Sequence, residues 1–202
     1  MIKKVTFVFG LSGAFIFAVA SVFGGLQIEG YSQLEQYISE SYATGMPNAA
    51  YLQYAFIISG MLLAFFGFLS ARVYVKSKSV KIAFVLFAIF YGLGTIITGI
   101  FPCDIGCVPN GESPSLSQFV HNLSGTLTYS TVPFCMLAVG FGLRKEVSYR
   151  YMSRFSLGAG VVALTFVVFL FGDANGPFKG IYQRIIEASV LSWVCVVSFF
   201  AR

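Results

Sequence analysis

Charge is what this chain has least of. Only 10% of its 202 residues are Asp, Glu, Lys or Arg, and it holds one histidine and four cysteines. Soluble domains carry roughly 25% charged residues, so a water-exposed globular fold is excluded. One histidine and a single close cysteine pair fall short of the repeated Cys/His sets of structural zinc modules. No Gly-rich phosphate loop, dinucleotide fingerprint or zinc-protease helix motif occurs, so neither a cofactor nor a metal is expected. The apolar runs also lack the alternation that membrane strands require, which excludes a β-barrel.

What is abundant is hydrocarbon. Hydrophobic residues make up 57% of the chain and phenylalanine occurs 23 times. A helix needs about 20 apolar residues to cross a bilayer core about 30 Å thick. Six segments meet that length: 6–26, 51–71, 82–101, 119–143, 155–172 and 183–201. Backbone polar groups immersed in lipid must be satisfied within each segment, so the expected fold is an all-α integral membrane bundle of six transmembrane helices forming one domain, 1–202. The first segment, with Lys3 and Lys4 before it and "AVAS" inside it, imitates a secretory signal, but its apolar run exceeds the usual 7–15 residues and reads as an uncleaved anchor.

Basic residues set the orientation. Eleven of the 13 lie on one side of the predicted bundle: Lys3, Lys4, Arg72, Lys76, Lys78, Lys81, Arg144, Lys145, Arg150, Arg154 and Arg202. Lys179 and Arg184 lie opposite, with seven of the eight acids, Glu112 among them. The positive side is the cytoplasmic one, so both termini are expected in the cytoplasm. The net charge of +5 is thereby a topological signal, and no basic face remains to grip nucleic acid.

The polar residues inside the apolar runs are few. In the fourth span Ser117, His121, Ser124, Thr128, Thr131 and Cys135 recur at steps of three and four, one helical stripe that should face the interior. The sixth span opens with "QRIIEASV", where Glu187 falls inside the hydrocarbon and needs partners. Arg184, His121 and Asp104 are the candidates at that depth. The group reads either as a charge network locking the helices or as an outward-facing pocket. Glycines and alanines at four-residue steps (Gly10, Ala14 and Ala18; Gly60 and Ala64), together with Gly92, Gly94 and Gly99, mark helix contacts. In the first outer loop, Leu34, Tyr37 and Ile38 suggest an amphipathic turn lying across the outer mouth.

Cys135 and Cys195 lie within spans and read as apolar fillers. Cys103 and Cys107 lie in an outer turn, where a disulfide is preferred over a zinc site built from Cys103, Cys107, Asp104 and His121.

Three stretches taken together, "ISESYATGMPNAA" (38–50), "GIFPCDIGC" (99–107) with "HNLSG" (121–125), and "GIYQRIIEASVLSW" (180–193), resemble a bacterial family, domain of unknown function 998. The resemblance spans nearly the whole chain and departs from the expected pattern at Ser41 and Tyr42. It implies six helices in the bacterial inner membrane, an outer Pro–Asp turn at Pro102 and Asp104, a following histidine at His121, and a last-helix arginine at Arg184. It implies no reaction.

The leading expectation is a pocket lined by Glu40, Asp104, His121, Asn122, Gln183, Arg184 and Glu187 that binds a small amphiphile or lipid headgroup from the surrounding bilayer. Arg184 would hold an anionic group. The alternatives are a membrane-embedded hydrolase or transferase using His121, Asp104 and Glu187, which needs a nucleophile or activated water near His121, and a structural or transport component.

Overall fold

The structure, a computed structural model, describes residues 1–74, 77–107 and 113–202, all of them helical or irregular with no strand. Lys76 and Glu112, counted above in the charge asymmetry, lie outside the described residues. The helices are α1 (Ile2–Leu26), α2 (Ala49–Val73), α3 (Lys78–Phe87), α4 (Gly94–Ile100), α5 (Leu116–Leu143), α6 (Arg150–Gly172) and α7 (Lys179–Ala201). A π-helical turn, Ala88–Leu93, joins α3 to α4, so that the two cross as one span. Six spans of 23 to 28 residues result, the shortest roughly 35 Å long.

Each span begins a few residues before its apolar run. Lys3, Lys78, Arg150 and Lys179 are helical yet polar. Hydropathy marks the edge of the hydrocarbon, whereas backbone hydrogen bonding carries the helix onward into the headgroup layer. Ser77 and Ser115 stop two of them, each side chain accepting the N–H three residues on.

The helices form a closed ring in chain order. α1 packs on α2, α2 on the α3–α4 span, that span on α5, α5 on α6, α6 on α7, and α7 returns to α1. Aromatic rings fill the middle. Trp193 lies against Phe84 and Phe87, Phe87 stacks on Tyr91, and Tyr91 stacks on Phe17, with centroids 5.1 to 5.9 Å apart. Such pairs add about 0.5–1.5 kcal/mol each beyond burial, which matters where lipid itself gives helices no apolar reason to associate. Large apolar side chains such as Phe15, Phe23, Phe65 and Phe169 point outward, as a lipid-facing belt requires.

In the contact between α2 and the α3–α4 span, backbone approaches backbone. A Cβ on Gly92 would stand 2.5 Å from the backbone N and Cα of Ala64, and one on Gly60 would stand 2.7 Å from the Gly92 carbonyl. Gly60, Ala64 and Gly92 are therefore contact residues as expected. Ala18 is not: it is exposed, and Gly13, against Leu63, serves α1 instead.

Two hydroxyls of α5 reach this span at the π turn. Thr128 donates to the Phe90 carbonyl at 2.5 Å and Ser124 to the Gly94 carbonyl at 3.2 Å. A π turn displaces the regular i→i−4 ladder, so side-chain donors supply what the backbone ladder gives up. The expected α5 stripe thus faces inward at His121, Ser124, Thr128 and Cys135, while Ser117 and Thr131 are half-buried.

The loop from 27 to 48 covers one end of the ring. Its only helical piece is a 3-10 segment, Ile38–Tyr42, every residue of which is buried. The amphipathic turn falls there and not at Leu34, which is 43% exposed. Cys103 and Cys107 form a disulfide, their Cα atoms 5.2 Å apart. Gly106, at φ 82°, supplies the left-handed turn that lets the two meet.

Candidate functional site

Four of the seven expected residues converge below the 27–48 loop. His121, Asn122 and Gln183 line a cavity of about 340 Å³. An adjoining chamber of about 70 Å³ is lined by His121, Gln183 and Glu187. Ser39, His121, Gly125, Tyr129 and Gln183 border both spaces. The larger cavity lies between α5 and α6 and reaches the lipid-facing flank, where Thr126 and Phe171 are exposed.

Glu187 is the most buried carboxylate among the described residues, 6% exposed and about 12 Å along α7 from its start. Its expected mates were Arg184, His121 and Asp104, but tyrosines take that place. Tyr91 donates to Oε2 at 2.6 Å and Tyr129 to Oε1 at 2.8 Å. Gln183 Nε2 donates in turn to the Tyr129 oxygen at 3.0 Å, and Gln183 Oε1 accepts the Ile38 N–H at 2.6 Å. A chain of hydrogen bonds therefore runs from the covering loop through Gln183 and Tyr129 to the buried carboxylate. Among the described residues, no lysine or arginine lies within ion-pair distance of Glu187.

This arrangement orders two substitutions. Tyr91→Phe removes one donor from the carboxylate, whereas Tyr129→Phe removes one and also strands Gln183 Nε2. Each loss should cost about 1–3 kcal/mol, with Tyr129→Phe the larger, measured by chemical unfolding in detergent. Equal stabilities for both variants and the parent would refute the assignment.

His121 is buried, and its Nδ1 lies 2.9 Å from the Phe101 carbonyl. A carbonyl only accepts, so Nδ1 carries the proton and, in the neutral ring, Nε2 is an acceptor. Asn122 Oδ1 accepts from Gln118 Nε2 at 2.7 Å.

Arg184, Glu40 and Asp104 do not line either space. Arg184 holds the loop: Nε donates to Gln33 Oε1 at 2.5 Å, one terminal nitrogen donates to the carbonyls of Gln36 and Gly180 at 2.7 and 3.0 Å, and the other donates to Tyr31 Oη at 2.8 Å. Glu40 pairs with Lys179 at 3.3 Å and accepts the Tyr37 N–H at 2.9 Å. Tyr37 donates to the Ala174 carbonyl at 2.6 Å. Burial first, then the charges of Glu40 and Asp173, push its phenol up to about 12.

Asp104 accepts the Ser115 hydroxyl at 2.7 Å and the Ser115 N–H at 3.0 Å. The hydroxyl first and then the N–H hold its carboxyl below the usual carboxylate range. Its own N–H donates to Gln118 Oε1 at 2.8 Å. Asp104 thereby fixes the start of α5. Among the described residues its hydrogen bonds go to Ser115 and Gln118 and not to His121, the pairing that the hydrolase alternative relies on.

Sequence reasoning missed Tyr91, Tyr129 and Gln118. Gln118, 1% exposed, lies one helical turn before Asn122, and a polar residue so close to the expected stripe was a usable signal. Tyrosines within spans are counted as apolar in a hydropathy reading, which conceals their hydroxyls. Ser39 sits beside the disulfide, its hydroxyl 3.3 Å from Cys107 Sγ.

Ring and site together define a multi-pass α-helical membrane protein with a buried carboxylate beneath a pinned loop. Residues 11–199 match the family described as Protein of unknown function (DUF998), and the chain belongs to that family. No curated protein and no solved structure matches it.

Proposed function

We propose that this protein is a single six-helix domain of the bacterial inner membrane, both termini cytoplasmic, that binds a small amphiphile or lipid headgroup through the cavity between α5 and α6. The carrying observation is that the cavity joins polar groups of His121, Asn122 and Gln183 to a lipid-facing rim at Thr126 and Phe171. An amphiphile needs both environments at once. His121 and Asn122 orient the polar end, Gln183 links it to the covering loop, and Glu187 lies behind them. In this reading Arg184, Glu40 and Asp104 keep the loop and the α5 start in place, and no anion is assigned to Arg184.

Gly125 provides the test. It borders the cavity, and a Cβ placed there meets nothing within 4 Å. Gly125→Leu should fill space without disturbing the bundle. Lipid mass spectrometry of the purified protein is expected to find a retained amphiphile whose yield falls by about tenfold in the variant, with a melting temperature no lower than the parent's. Equal retention in both proteins would overturn the reading.

A further inference from the structure

The small chamber behind His121 has a lining unlike that of the outer cavity. Phe17, Tyr42, Phe56, Tyr91 and Tyr129 surround it with aromatic rings, and Glu187 supplies its only ionisable carboxylate among the described residues. That carboxylate is only 6% exposed, and it has two hydroxyl partners but no counter-cation among the described residues. Tyr129, whose oxygen already receives Gln183 Nε2, spends its single proton on Oε1.

We infer that this chamber is the binding site of a protonated amine, the ammonium head of the amphiphile held in the outer cavity. The inference rests on the amphiphile reading above and adds the chemical class of the head. Three features select that class. Aromatic faces attract a cation through their negative quadrupole, most strongly where water is excluded. A buried carboxylate attracts it further, as an isolated charge in a low-dielectric interior is costly until it is paired.

Other lining groups can also accept. An ammonium has three N–H donors to satisfy, and it finds the Glu187 oxygens, the hydroxyl oxygens of Ser39 and Thr98, and the Nε2 of a neutral His121. An anionic head meets the opposite: a carboxylate and ring faces, with no lysine or arginine on the wall among the described residues. A calcium or magnesium ion would ask for about six or more oxygen ligands, which a wall of rings does not supply, and among the described residues no three His, Cys, Asp or Glu side chains are grouped to hold a metal. The volume, about 70 Å³, admits a head of a few heavy atoms and leaves the tail to the outer cavity of about 340 Å³. Gly125, on the wall between the two, offers no side chain to separate head from tail.

The test is calorimetric titration of the full chain in a neutral maltoside micelle, with micelle-only blanks, using dodecylammonium, dodecanol and methylammonium as probes. Dodecylammonium is expected to bind about tenfold or more tighter than dodecanol, and Glu187→Gln to bring the two together. The comparison of ligands on the parent protein stands even if that variant fails to fold. Equal binding of dodecylammonium and dodecanol by the parent overturns the ammonium site and leaves the amphiphile reading intact. Failure of every probe to bind overturns both. Methylammonium binding as tightly as dodecylammonium supports the ammonium site with a small free amine as its source, and removes the tail from the account.

Discussion

Gly92→Ala is expected to destabilise the bundle by about 1–3 kcal/mol, the usual cost of forcing a methyl into a filled contact. The added carbon would stand 2.5 Å from backbone atoms of Ala64, and backbone cannot rotate away as a side-chain tip can. α2 and the π turn would have to separate. That separation would draw Tyr91, the residue before Gly92, away from Glu187. Gly158→Ala is the matched control. Gly158 is an exposed helix-interior glycine with nothing within 4 Å of an added Cβ, and the same change there should stabilise by up to about 1 kcal/mol through helix propensity. Opposite signs in a detergent unfolding series support the close contact. A loss at Gly92 no larger than the change at Gly158 would show that the two helices do not meet there.

Arg184→Ala should release the 27–48 loop. Four acceptors lose their donor at once: the Gln33 side chain, the Tyr31 hydroxyl, and the carbonyls of Gln36 and Gly180. Removing one member of a partly buried charged network costs on the order of 3 kcal/mol. Arg184→Lys should recover little, since a single ammonium cannot span acceptors that a planar guanidinium reaches from three nitrogens. The measurement is limited proteolysis within 27–48, expected to accelerate strongly in both variants, paired with the melting temperature. A variant with lowered ligand binding but a protected loop would return Arg184 to the role of ligand anchor.

Hydropathy made the architecture readable, because lipid demands long apolar helices and the six runs are unmistakable. The least apolar span was also legible: α5 has a mean hydropathy of 1.4 against 1.7 to 2.2 in the others, and it lines the outer cavity with more residues than any other helix. His121, Asn122, Gln183 and Glu187 stood out as polar groups in apolar surroundings. Glu40, Asp104 and Arg184 were grouped with them by depth alone. Depth does not fix which way a side chain turns around its helix axis or which loop lies nearest, and those two variables decided the outcome. The π turn was illegible for a different reason: Gly92 and Gly94 signal close packing equally well with or without an extra residue in the turn.

The ring closes through its first and last helices, with Phe7 against Phe199, and the Tyr74 hydroxyl at the end of α2 also donates to the Val197 carbonyl of α7. Without α7 the other spans form only an open arc, with the phenols of Tyr91 and Tyr129 beside the gap. The helix that completes the ring is also the one that carries the carboxylate, so pairing of Glu187 and sealing of the seam depend on the same element.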